Sequence, residues 1–172
     1  MKKISAKAIA FYGIMAAFSL VLGYIEHLIP LPIGIYGIKL GLANLATVVS
    51  LYFLGAPAAL TLNFIRIILS SLLFGNVLSL SYSLCGGMLS CLIMIAVKHI
   101  RGFSCVGVSI CGGVAHNIAQ LAVAVILLDN VKIAFYLPVL VIVGAITGLL
   151  IGLCALPLVK NKYLRSSYGI SE

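Results

Sequence analysis

The 172-residue sequence has no tryptophan and only three acidic residues, of which Asp129 is the single aspartate. Charged residues make up 8% of the chain, against about 25% in an ordinary soluble domain. Rearranging the surface of such a chain cannot keep it in water. With one aspartate there is no acidic cluster to hold magnesium, and no Ser/His/Asp set, because Asp129 is far in sequence from any plausible nucleophile. No phosphate-binding P-loop occurs, and no polar segment is long enough to hold ATP, so ATP-driven work would need other subunits. The five cysteines (Cys85, Cys91, Cys105, Cys111 and Cys154) contain no CxxC and all lie in apolar segments. They read as small packing residues, with no metal or cofactor expected. The N-terminal apolar stretch is too long for a signal-peptide core and no A-x-A site follows it, so it reads as a retained first helix.

What the chain does have is apolar length. Hydrophobic residues make up 63% of it, and a bilayer crossing takes about 20 of them. Six spans are expected, over about residues 7–29, 38–54, 57–74, 77–97, 103–128 and 133–158, forming one all-α, polytopic membrane domain. The breaks are PLPIGIYG at 30–37, Gly55-Ala56-Pro57, the basic stretch Lys98 to Arg101, and Asp129-Asn130. The formal charge of +8 has no aromatic interleaving to fit nucleic acid. Its lysines and arginines gather at one set of span ends: Lys2, Lys3, Lys7, Lys98, Arg101, Lys160, Lys162 and Arg165. The positive-inside rule then places both termini in the cytoplasm and the 26–39 connection outside, in a multi-pass protein of the cell membrane.

Small residues recur at helical spacing: Ser79, Ser83, Gly87 and Cys91 in span four, and Gly144, Gly148 and Gly152 in span six. Ser83-Leu84-Cys85-Gly86-Gly87-Met88 is echoed by Ser109-Ile110-Cys111-Gly112-Gly113-Val114. Such patterns let helix backbones approach closely in lipid, where no hydrophobic drive brings helices together. Span one carries Ala6, Ala10, Gly13 and Ala17, a stripe expected to dock on another protein.

Polar side chains at bilayer depth are costly and call for a partner or a function. Arg66 lies near the middle of span three, with Asn63 one turn away on the same face. His116 and Gln120 share a face of span five, with Asn117 adjacent. Asn44 and Lys39 lie in the outer part of span two, and Glu26 and His27 end span one. From the topology, most of these residues fall between the bilayer centre and the outer surface. This is the arrangement expected of an outward-open pocket for an anionic ligand. Arg66 and Lys39 would recognise charge, and Asn44, Asn63, His116, Asn117 and Gln120 would supply hydrogen bonds. Glu26 and His27, with the 30–37 loop, would form a lid. The structural alternatives are Arg66 pairing with Glu26 or with helix-end carbonyls, and His116 as an interhelical tie.

The runs YIEHLIPLP, GIKLGLANLATVVSLYFLG, NFIRIILSSLLFGN, SLCGG and GGVAHNIAQL together resemble the Gx transporter family, often labelled heptaprenyl diphosphate synthase component I. The resemblance spans about residues 7–158. It implies a relative of the substrate-binding S components of energy-coupling factor transporters, six-helix proteins that dock on a transmembrane subunit and two ATPases through an AxxxA-type pattern in the first helix. Ala6-Ala10 fits that pattern literally, and Gly13-Ala17 is the better-placed variant. The expected function is therefore uptake of a small anionic solute, such as an isoprenoid or quinone precursor or a vitamin, powered by separate ATPase subunits. The synthase label implies an alternative: a membrane subunit associated with the catalytic heptaprenyl diphosphate synthase of menaquinone synthesis. Because the aspartate-rich motifs of that chemistry are missing, the chain itself is expected not to be an enzyme.

Overall fold

The computed structural model describes residues 6–28 and 41–161, all of whose regular elements are helical. They are α1 (Ala6–Leu28), α2 (Leu42–Phe53), α3 (Ala56–Phe74), α4 (Val77–Lys98), α5 (Cys105–Leu127) and α6 (Leu137–Lys160), with a 3-10 turn (Val131–Tyr136) leading into α6. Local chemistry sets several boundaries. The Asn76 side chain accepts from the Ser79 amide at 2.8 Å and starts α4, and Ser104 does the same for Gly107 at 3.2 Å at the start of α5. Proline sits in the first turn of α3 and of α6, where its missing N–H costs nothing.

Five helices are long and apolar enough to cross a membrane. The exception is α2, whose 12 residues rise only about 18 Å, against a hydrocarbon core of about 30 Å. A span over 38–54 is expected from hydropathy, yet the helix begins only at Leu42; residues 38–40 lie outside the described set. Gly41 precedes it with φ +73°, a left-handed conformation that favours glycine and sets where the helix starts.

The surface is apolar, with Leu72, Val77, Ile126 and Phe135 among the most exposed side chains, while Asn44, Thr47, Asn63, His116, Asn117 and Gln120 are buried. Apolar outside and polar inside is the distribution of a multi-pass bundle in lipid. Around the bundle the order of packed neighbours is α1, α3, α4, α5, α6, α2, and α2 also touches α3 and α4.

The bundle divides along its length. The half nearer Lys98 holds the apolar core, built from Phe11, Val48, Leu51, Phe53, Met94, Val108 and Ile151. Phe11 and Phe53 meet with ring centroids 5.7 Å apart. Lys98 closes this end: its Nζ donates to the Leu51 carbonyl at 2.8 Å and lies 4.7 Å from the centre of the Tyr52 ring. That satisfies one of the unpaired carbonyls at the C-terminus of the short α2. The half nearer Glu26 is hollow and polar.

Glycine brings α5 and α6 together. A Cβ on Gly113 would lie 2.3 Å from the Gly144 carbonyl oxygen, and one on Gly148 would lie 2.7 Å from the Cα of Ile110. These are backbone-to-backbone approaches, so the span-six stripe is consumed inside the monomer. The repeated glycine pairs divide their roles. Gly86 faces His116 and Gln120, Gly87 faces Ile67 and Asn63, Gly112 faces Met94, and Gly113 faces α6. On α1, by contrast, Gly13 has nothing within 4 Å, and Ala10 and Ala17 are exposed.

Gly113→Ala is expected to lower the thermal unfolding midpoint of the detergent-solubilised protein, in line with an overpacking cost of about 1–3 kcal/mol. Gly13→Ala should leave the midpoint within the change of a neutral surface substitution, about 0.5 kcal/mol. Equal midpoints for the two variants would show that the α5–α6 contact is looser than described.

Candidate functional site

A cavity of about 340 Å³ opens in the polar half of the bundle. Five helices contribute to it. Gly23 and Glu26 come from the end of α1, and Gly41 and Asn44 from the start of α2. Arg66, Ile67, Ser70, Ser71 and Phe74 belong to α3. Gly75 and Asn76 form the turn, Ser79 and Ser83 open α4, and His116 comes from the middle of α5. Ile67 and Phe74 are the only apolar side chains among these residues, yet backbone and side-chain carbon still form the larger part of the wall, with hydroxyl, amide and charged groups set into it. Arg66 is the only lysine or arginine among them, and Glu26 the only acid.

Arg66 is positioned from behind. Its Nη2 donates to Asn63 Oδ1 at 2.7 Å, one turn back on the same helix face. Asn63 is 1% exposed. It donates through Nδ2 to the Gly87 carbonyl at 2.8 Å, and its Oδ1 also accepts from Thr47 Oγ1 at 3.3 Å. One amide therefore ties α2, α3 and α4 together and holds the guanidinium against the cavity. Gly87 permits this by its lack of a side chain, since a Cβ there would lie 2.6 Å from Ile67 Cδ1 and 3.4 Å from Asn63 Nδ2. Arg66 Nε, and the Ser70 hydroxyl one turn further along α3, are buried without a hydrogen-bond partner among the described residues.

Glu26 accepts a hydrogen bond from the backbone N–H of Gly41, at the N-terminus of α2. A carboxylate there satisfies an orphan donor and lies at the positive end of the helix dipole. The same contact joins the end of α1 to the start of α2 across the cavity rim.

The structure brings four of the sequence-identified residues to one cavity: Glu26, Asn44, Arg66 and His116. Three others are buried elsewhere. Asn63 lies behind Arg66. Asn117 donates to the Leu140 carbonyl at 2.9 Å and so ties α5 to α6; it lines only a narrow cleft of about 10 Å³ that shares Gly41, Asn44 and His116 with the main cavity. Gln120 packs against Gly86, where a Cβ would lie 2.9 Å from its Cγ. Lys39, the 30–37 loop and the side chains of His27 and Ala6 lie outside the described residues. Within the described part of the docking stripe, Ala10, Gly13 and Ala17 sit on an outward face, away from the cavity.

The serines were not singled out as ligands from the sequence. Ser70 and Ser71 follow Arg66 by four and five residues, a spacing that could have placed them beside it. Ser79 and Ser83 had been read as part of a packing stripe, whereas the structure gives that stripe two uses: its first two members line the cavity and Gly87 packs. No group of three or more His, Cys, Asp or Glu that could hold a metal ion occurs among the described residues. The cavity wall combines one guanidinium, one carboxylate, one imidazole, and hydroxyl and amide groups.

A family model described as heptaprenyl diphosphate synthase component I matches residues 15–158 of the chain. No curated protein matches, and no solved structure matches.

Asn63→Ala is expected to destabilise the protein by about 1–3 kcal/mol or more, because it strands buried polar groups on three helices, one of them charged. A lowered unfolding midpoint in detergent, larger than that of Asn44→Ala at the cavity wall, is the outcome that fits. The reverse order would show that Asn63 is not the bracket described.

Proposed function

The chain belongs to the heptaprenyl diphosphate synthase component I family, and from that premise we propose that it is a non-catalytic, membrane-embedded component of a prenyl diphosphate synthase system that binds a small anionic ligand. The family name supports the association with a synthase. The observation that carries the binding role is the cavity of about 340 Å³ with Arg66 on its wall. Ligand sites in proteins begin at about that volume, and a guanidinium kept inside an apolar bundle calls for a function. A cavity of that volume suits a small ligand better than a heptaprenyl chain, and in this reading the polymer is made elsewhere. The non-catalytic role is supported by the residue inventory: a chain with a single aspartate has no acidic cluster of the kind that holds magnesium on a diphosphate. The synthase active site would then reside in a soluble, aspartate-rich partner.

In this proposal the positive-inside rule orients the bundle, with the Lys98 end in the cytoplasm and the cavity towards the outer side of the cell membrane. That geometry also supports a second reading, in which the chain is the solute-capturing subunit of an ATP-driven uptake system. One observation favours it specifically. The small-residue face of α1, where a Cβ on Gly13 would meet nothing within 4 Å and Ala10 and Ala17 are exposed, offers a close-approach surface that no described helix covers.

Affinity purification of the full-length protein from membranes separates the two readings. Retention of a soluble aspartate-rich synthase supports the first, and retention of a transmembrane subunit with paired ATPases, without the synthase, replaces it with the second. For the binding role, small molecules carried through purification are identified by mass spectrometry and added back. The ligand found is expected to raise the unfolding midpoint of the wild type, and Arg66→Gln is expected to remove that rise. A rise of equal size in the variant would take Arg66 out of the site.

A further inference from the structure

Within the cavity Glu26 faces the Arg66 charge and Asn63 takes its Nη2, but two donors on the wall have no hydrogen-bond partner among the described residues. Arg66 Nε and Ser70 Oγ are both buried without a hydrogen-bond partner among the described residues, and both residues line the same wall. Arg66 and Ser70 are four apart on α3, so their side chains project from one face in adjacent turns. A buried polar group without a partner costs roughly 1–3 kcal/mol, and more when charged. Native proteins leave few such groups, and each one calls for an explanation. Ser50 Oγ, Ser90 Oγ and Gln120 Nε2 are also without a partner among the described residues, but only Arg66 and Ser70 of these five line the main cavity. Gly23 of α1 admits the Ser70 hydroxyl at the cavity wall, since a Cβ there would lie 3.2 Å from its oxygen.

We propose, resting on the reading of the cavity as an anion site, that Arg66 and Ser70 form the seat of a phosphoryl group, and that the ligand is a small phosphate or diphosphate monoester. Three considerations select phosphate over carboxylate. First, the hydrogen-bonding side chains do not lie in one plane. Beyond Arg66 and Ser70 on α3, Asn44 faces the cavity from α2, Ser79 and Ser83 from α4, and His116 from α5. A carboxylate presents two coplanar oxygens, whereas a phosphoryl group presents three arranged tetrahedrally and can meet donors from several helices at once. Second, the guanidinium is already oriented. With Nη2 fixed on Asn63, the fork is held in place before binding, and arginine is the side chain whose fork matches phosphate oxygens. Third, the volume bounds the rest of the molecule. About 340 Å³ lies at the lower end of ligand-site volumes, enough for a diphosphate with a short organic group.

The test uses the full-length protein in nanodiscs of neutral phosphatidylcholine, with inorganic pyrophosphate and inorganic phosphate as probes and succinate as a planar dianion. Calorimetry and thermal unfolding are expected to show saturable pyrophosphate binding and much weaker succinate binding. Ser70→Ala is expected to weaken pyrophosphate binding by roughly tenfold. Arg66→Lys, which keeps the charge and loses Nε and the fork, should weaken it at least as much. The unliganded midpoint of Ser70→Ala reports that the fold is intact. Succinate binding as tightly as pyrophosphate, with Ser70→Ala altering neither, would overturn the phosphoryl seat and leave the anion site standing. Failure of all three probes to bind would overturn both together.

Discussion

A guanidinium inside an apolar bundle must be held, and the rest of the polar half follows from how Arg66 is held. Asn63 does it with one amide: it accepts from Arg66 Nη2 at 2.7 Å, accepts from Thr47, and donates to the Gly87 carbonyl. In hydrocarbon an unsatisfied polar group has no water to turn to. Each of these contacts therefore constrains the others. Moving α4 away would strand Asn63, and moving Asn63 would release Arg66. Gly87 is the steric condition for the arrangement, because a side chain there would meet Ile67 before Asn63 reached the α4 backbone.

The two halves of the bundle are stabilised differently. Near Lys98, aliphatic and aromatic side chains fill the space, and a lysine satisfies the end of a helix too short to cross the bilayer. Near Glu26, the helices leave about 340 Å³ unfilled and line it with polar groups. The shortness of α2 joins the two halves. Ending at the closed side, it starts only about 18 Å away, which brings Gly41, Asn44 and the Glu26 contact to the rim of the cavity instead of the membrane surface. On the far side, the glycine contacts of α5 with α6 supply a tightly packed wall to which Asn117 is tied, while His116 packs against Gly86 of α4.

Membership of the heptaprenyl diphosphate synthase component I family sets the biochemical neighbourhood, and the proposed binding role is what the cavity would contribute there. A cavity of about 340 Å³ with a guanidinium on its wall suits a small charged molecule better than a long isoprenoid. A binding component in the membrane and a catalytic component in water would divide the work according to solvent. Magnesium-dependent diphosphate chemistry needs clustered carboxylates, and such clusters are expensive to place in lipid.

Composition and spacing alone determined that this is an all-helical membrane protein, where most of its spans run, and that Asn44, Asn63, Arg66, His116, Asn117 and Gln120 are costly polar groups inside it. Hydropathy and the price of burying charge are local properties, legible one residue at a time. Which polar residue does what was decided only by tertiary structure. His116 and Asn117 are neighbours in sequence, but a helix turns about 100° per residue. One therefore reaches the cavity and the other binds α6. Arg66 and Asn63 share a face, yet only Arg66 reaches the wall, because Gly87 draws Asn63 towards α4. Ser79 and Ser83 were legible as small residues and not as lining, since the same spacing serves a helix contact or a cavity depending on whether another helix is opposite. The late start of α2 is likewise a backbone decision, made at the left-handed Gly41, and it sets the level at which the cavity opens.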